Sequence, residues 1–224
     1  MIWLGIDTSN TPLSVALVED GQLLIEHTDS FKTTHSVAAM PTIERIMKEA
    51  GITPDQLSAI AVAKGPGSYT GIRIGMTLAK TLGWSLNIPV YPVSSLAVLA
   101  TPGKWFDGLT VSVMDARRQH VFAGVYDKQT VLTEAHRSFA DLLDFLHQQE
   151  RPVLWCGQDA KLFEEAILAS GLVSYFAGVG EQLPRASELI SLAQKLEPAT
   201  SIHELTPDYL RLTEAEVNWM KAND

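Results

Sequence analysis

Lys64-Gly65-Pro66-Gly67-Ser68-Tyr69-Thr70-Gly71-Ile72-Arg73-Ile74-Gly75 is the stretch on which the reading of this chain turns. An apolar run ends before it at Ala63 and a helical pattern follows it to about Leu86, so it reads as a strand, a tight loop and a helix start. Such a junction has two physical uses. Its free backbone N–H groups cradle an anion, or its missing side chains let a helix pack closely.

The helix that follows sharpens the choice. Gly71, Gly75, Ala79 and Gly83 stand four apart and therefore share one face, which is almost bare of side chains. Each glycine inside a helix costs about 1 kcal/mol relative to alanine, so something must approach that ridge closely. Two elements fit: the chain's own sheet, or the helix of another chain with Ile72, Met76 or Leu82 alongside. Known phosphate motifs do not match. A P-loop needs Gly-Lys-Ser/Thr where Gly71-Ile72-Arg73 stands. A dinucleotide fold needs an acid some twenty residues on, and none occurs before Asp107. Ser68 does not sit in a Gly-x-Ser-x-Gly elbow.

A length of 224 residues suits one large or two small domains, and 46% hydrophobic with 19% charged residues is a globular composition. The start, Met1-Ile2-Trp3-Leu4-Gly5-Ile6-Asp7, has no basic region and meets a carboxylate early, so a cytosolic protein without a signal peptide is expected. The charge-free run from Thr81 to Gly103 contains Asn87, Pro89, Pro92 and Pro102, which argues against a membrane span. Cys156 is the single cysteine and ends an apolar run, so it reads as a buried structural thiol. The net charge of −9 argues against a nucleic-acid platform over the whole surface. From Gln56 to Phe106, however, there is no acid, while Lys64, Arg73, Lys80 and Lys104 fall inside that window.

In chain order, strands are expected at 2–6, 13–18 and 22–27, joined by short turns that make them antiparallel neighbours. A helix at 36–50 stops at Gly51, and Thr53-Pro54-Asp55-Gln56 has capping-box form ahead of a strand at 57–63. The helix at 70–86, a strand at 89–93 and a short helix at 94–100 complete a first lobe, 1–101. The Thr101-Pro102-Gly103 breaker divides it from a second lobe, 104–204. That lobe holds strands at 109–114, 121–126, 130–133, 152–156 and 173–176, and helices at 139–149, 159–170 and 186–196. A tail, 205–224, is expected to pack back on the first lobe and carries a second capping box, Thr213 with Glu216. Laying the halves together without gaps pairs Asp7 with Asp115, Leu13 with Val121, Val15 with Ala123 and Leu17 with Val125, the mark of a degenerate duplication.

Two lobes, each opening on a strand that ends in aspartate, resemble the actin, sugar-kinase and Hsp70 ATPases. The fold class expected is therefore α/β, a two-lobed actin-like ATPase (ASKHA, ribonuclease H-like) fold. In those enzymes paired carboxylates hold magnesium through water and a glycine-bearing first hairpin wraps the phosphates. Here Asp7-Thr8-Ser9-Asn10-Thr11 has hydroxyls but no glycine, and Asp115-Ala116-Arg117-Arg118 is no phosphate hairpin. No histidine stands four residues from another, so a helical metal pair is absent.

Ile6-Asp7-Thr8-Ser9, His35-Ser36, Gly65-Pro66-Gly67-Ser68-Tyr69-Thr70-Gly71-Ile72-Arg73, Asp115-Ala116-Arg117-Arg118 and Tyr209-Leu210-Arg211 together are similar to the TsaB family, also called YeaZ. The resemblance implies a non-catalytic scaffold, without cofactor or metal of its own, in the transfer of a threonylcarbamoyl group to adenosine 37 of tRNA. Its partner would be the catalytic paralogue TsaD, joined by the ATPase TsaE, with tRNA reached only through the complex. Catalytic paralogues carry two metal-binding histidines where this chain has His35 and Ala39. In the family the two first-lobe helices form a bundle with TsaD or with a second copy. The interface expected here is thus Met40, Ile43, Met47, Gly71, Ile72, Gly75, Met76, Ala79 and Gly83. Asp7, Thr8, Ser9, Lys64, Ser68 and Arg73 are expected as vestigial or shared nucleotide contacts, with ATP or ADP at the partner interface. The alternative is a stand-alone actin-like ATPase or a peptidase-related enzyme.

Overall fold

A computed structural model describes residues 1–31 and 34–210. Strands β1 (Ile2–Asp7), β2 (Leu13–Glu19) and β3 (Gln22–Asp29) form consecutive hairpins, and β4 (Leu57–Gly65) and β5 (Val90–Ser94) add in parallel. The sheet order is β3-β2-β1-β4-β5. Short turns force the antiparallel half, whereas helices α1 (His35–Ala50) and α2 (Tyr69–Leu86) are the crossovers that the parallel half requires. Helix α1 ends at Gly51 in the left-handed region (φ 69°), and Gln56 reaches back to the Thr53 N–H at 2.8 Å, as the capping-box spacing predicts.

The second lobe repeats the plan. After α3 (Ser95–Leu99) come β6 (Leu109–Asp115), β7 (His120–Asp127), β8 (Gln129–Ser138), α4 (Phe139–His147), β9 (Val153–Cys156), α5 (Glu164–Ala169) and β10 (Ser174–Phe176), in the sheet order β10-β9-β6-β7-β8. This is the two-lobed α/β architecture expected. β8 extends well beyond 130–133 because an edge strand tolerates polar residues such as Glu134, His136 and Arg137 that hide it from a hydrophobic pattern. The helix expected at 159–170 opens instead as a 3-10 turn, Gln158–Phe163, before α5.

Helix α6 (Ala186–Ala193) corrects the lobe boundary. The sequence reading gave it to the second lobe, 104–204, yet its Ala186, Leu189, Ile190 and Ala193 pack with Trp3, Ala16, Val18, Ala59 and Ala61 on the first sheet. Gly5 permits this, since a Cβ there would lie 2.7 Å from the Ala186 carbonyl oxygen. Every residue of β1 and most of β2 are buried, because α1 and α2 cover one face and α6 the other. The chain then stays with the first lobe: Ala199 N–H donates to Val90 O, and Ile202 and Leu205 join the core around α2. Thr213 and Glu216 lie outside the described residues.

The duplication is also displaced by one residue. With β2 held against β7, Ile6 opposes Val15 and Val113 opposes Ala123, so Ile6 corresponds to Val113. Ile2, Leu4 and Ile6 face α1, whereas Leu109, Val111 and Val113 face α4. Asp7 therefore corresponds to Met114, and Asp7 and Asp115 project to opposite sides of their sheets.

Candidate docking face and interlobe cleft

Asp7 closes β1 and is wholly buried. Its Oδ1 accepts from the Ser9 N–H at 2.9 Å and the Ser9 hydroxyl at 2.7 Å, while Oδ2 is buried without a hydrogen-bond partner among the described residues. Burial pushes this carboxyl above its usual range, against the two Ser9 hydrogen bonds that pull it down.

The glycine loop lies directly on this first turn. Ser68 N–H donates to Ser9 O at 2.7 Å, and the Thr8 hydroxyl donates to Gly71 O at 2.8 Å. A Cβ on Gly67 would collide with Ser9 O, and one on Gly71 with Thr8 O. Ser68 caps α2 by accepting from Gly71 N–H at 3.2 Å. The loop's close approach thus serves contact between two segments of one chain. Asp7, Thr8, Ser9 and Ser68 do come together, whereas Lys64 and Arg73 are engaged by the C-terminal segment. Lys64 pairs with Asp208 at 3.5 Å, and Arg73 Nε donates to the Tyr209 hydroxyl at 2.6 Å.

The bare ridge resolves the same way and corrects the expected interface. A Cβ on Gly75 would overlap Thr8 Oγ1, and one on Gly83 would overlap Val90 Cγ2. Ala79, Ile72, Met76, Ile43 and Met47 are buried in the first-lobe core. The ridge lets α2 sit tightly on β1 and β5, so Gly71, Gly75, Ala79, Gly83 and these four apolar residues are not available to another chain. Of the expected set only Met40, 43% exposed, remains at the surface.

The opposite faces of α1 and α2 form an open groove of about 460 Å³, lined in part by Met40, Tyr69, Arg73, Ile74 and Leu78. Val37, 69% exposed, stands one turn before Pro41 on α1. Exposed apolar residues on two adjacent helices form a patch that water does not favour. The sequence reading missed Ile74 and Leu78 because α2 is apolar on both sides, and only the sheet's position tells inside from outside. His35, the lone histidine of the region, lies 3.1 Å from Thr11 O through Nε2.

Between the lobes lies a cleft of about 540 Å³. Ser9, Thr11, Ser68 and Thr70 line it from the first lobe, and Asp115, Arg117 and Asp159 from the second. Asp159 was not legible in the sequence, because the 3-10 turn after β9 brings it to Asp115 from 44 positions away; its Oδ2 accepts the Asp115 N–H at 2.8 Å. Burial, aided by the nearby Asp115 charge, raises the Asp159 pKa. Asp115 Oδ1 accepts the Arg117 N–H at 2.9 Å. Among the described residues no three metal-binding side chains converge. A cleft so furnished offers hydroxyls and one guanidinium, and each of its two carboxylates accepts a backbone N–H on one oxygen.

Comparison with known proteins assigns the chain to a group. Residues 28–219 match the family model described as TsaD, tRNA N6-adenosine threonylcarbamoyltransferase. The tRNA threonylcarbamoyladenosine biosynthesis protein TsaB of Bacillus subtilis is 43% identical over 99% of each chain. The protein of that name from Haemophilus influenzae is 29% identical over 97% of this chain and 95% of its own. The solved structure of YeaZ from Pseudomonas aeruginosa superposes with a TM-score of 0.74 at 25% identity, covering 93% of this chain and all of that one. Matched from end to end in sequence and in fold, the chain belongs to the TsaB, or YeaZ, family.

Proposed function

We propose that this protein is a non-catalytic subunit in the synthesis of threonylcarbamoyladenosine at position 37 of tRNA. It binds and stabilises the catalytic paralogue TsaD, and the ATPase TsaE joins the pair. Without TsaD, a second copy takes the same face. ATP or ADP would sit where subunits meet, tRNA is reached through the complex, and the whole works in the cytoplasm. The observation that carries this reading is the apolar groove between α1 and α2, with Met40 exposed and Ile74 half-buried in its lining and Val37 exposed beside it on α1. Support also comes from the relatives' names and from the match to the TsaD model.

Against a stand-alone ATPase or a peptidase-related enzyme stands the use already made of Asp7. Both bonds to its Oδ1 come from Ser9 two residues away, and the glycine loop spends its close approach on the first turn. Light scattering of the protein alone and after adding TsaD tests the reading. Replacement of a homodimer by a one-to-one heterodimer is expected; an unchanged homodimer beside free TsaD would overturn it.

A further inference from the structure

Arg73 is the cation of the docking face. Helix α2 has no acid between Tyr69 and Leu86, and its other cation, Lys80, is occupied by the carbonyl oxygens of His203 and Leu205 at 2.9 and 3.0 Å. Arg73 stands one turn after Tyr69, with its guanidinium 4.1 Å from the centre of that ring. Tyr209 arrives from the C-terminal segment, stacks on Tyr69 at 4.9 Å between ring centres, and accepts the Nε proton at 2.6 Å. Two contacts from elements far apart in sequence thus fix a long, flexible side chain before any ligand arrives. That conformational entropy is not lost again on binding.

What the contacts leave open is informative. Of the five N–H donors of a guanidinium, the Nε one is used, and Nη1 and Nη2 carry the other four. Among the described residues Arg73 makes no ion pair, and beyond the Nε bond only the Tyr69 hydroxyl adds a side-chain hydrogen bond to the guanidinium, so most of the Nη donors remain. A guanidinium held by Nε presents its Nη edge, a geometry suited to a carboxylate. The groove beside it is apolar, with Met40 and Ile74 in its lining, and the net charge of the chain is −9. An acidic group approaching most of this surface is repelled, whereas on α2 it meets positive charge alone. Such local complementarity sets register and partner choice.

We propose that Arg73, aimed by Tyr209, is the specificity-determining contact of the docking face and takes a carboxylate side chain of the protein that docks there. The partner segment it fits is an acidic residue beside apolar ones that fill the groove. Tyr209 is a positioning residue: it acts only through Arg73. The inference rests on the reading of the α1 and α2 face as the TsaD-docking surface.

Isothermal titration of the full-length protein with nucleotide-free TsaD, at low and high salt, tests it. Arg73→Gln is expected to weaken binding about 10- to 100-fold and to flatten its salt dependence. Arg73→Lys recovers only part, because a point charge lacks the fork. Tyr209→Phe keeps the stacking, loses the Nε acceptor and weakens binding less than Arg73→Gln does. Arg73→Glu is rescued by reversing one acidic residue of TsaD. If Arg73→Gln binds like the parent while Ile74→Arg abolishes binding, the docking reading stands and this inference falls. If Ile74→Arg also binds like the parent, the docking reading itself falls. A loss in Arg73→Gln seen only with ATP or ADP present, or one that no acidic reversal on TsaD rescues, also overturns the carboxylate assignment.

Discussion

Thr8 and Gly75 are in such close contact that no side chain fits between them: a Cβ on Gly75 would overlap Thr8 Oγ1, the atom that donates to Gly71 O one turn earlier. Through this contact α2 seats on the end of β1. Gly75→Ala should therefore destabilise the protein by about 1–3 kcal/mol, although alanine favours an isolated helix by about 1 kcal/mol. Thr8→Ala removes the obstructing oxygen, leaving the residue 8 Cβ 3.6 Å and Ile6 Cγ2 3.8 Å from the new Cβ, both ordinary contacts. In urea melts the double variant should then cost less than the sum of the single ones. Strict additivity would mean that the two residues do not meet.

Asp7 gives stability a pH dependence of predictable sign. Burial raises its native pKa above 3.8, so the native state holds this proton more tightly than the unfolded chain. Its contribution to stability falls as pH rises through 3.8 and levels off above the native value. Asp7→Asn keeps an oxygen for Ser9 and removes the buried charge. The stability of this variant relative to the parent should increase from pH 3 to neutrality, measured by urea melts at each pH. A pH-independent difference would contradict the buried-charge account.

Cys156 supplies a clean probe of the second lobe. It is fully buried, and burial, with a smaller effect of Glu181, pushes its thiol up to about 12. Because the chain has one cysteine, a chromogenic thiol reagent at pH 8 should report almost no reaction in the native protein and one equivalent after denaturation. Rapid native labelling would show that β9 is open to solvent.

Much of the fold was legible because periodicity and breakers agree locally. The hairpins, α1 with its Gly51 stop, the strand-loop-helix at Gly65 to Gly75 and the shared plan of the lobes follow from patterns a few residues long. What depended on long-range placement was not. Leu189 and Ile190 form an apolar face that fits either sheet, and only the space above Gly5 assigns α6 to the first lobe. The ridge of α2 was found, but its direction was not: Gly75 and Ala79 on one side and Ile74 and Leu78 on the other are both compatible with burial. A one-residue shift in the hairpin register likewise separates Asp7 from Asp115, although both end strands that look alike.

In the proposed function the outward face of α1 and α2, and not the glycine ridge, is where this chain meets another. Ile74 and Met40 lie outside the packed core, so Ile74→Arg and Met40→Arg should leave the thermal midpoint nearly unchanged. Titration calorimetry of these two variants against full-length TsaD is the most direct measurement. One-to-one binding by the parent protein and a loss of at least about 100-fold in both variants are expected, since a charge would be buried in an apolar groove. Parent-like affinity in both, with the fold intact, would contradict docking at this face.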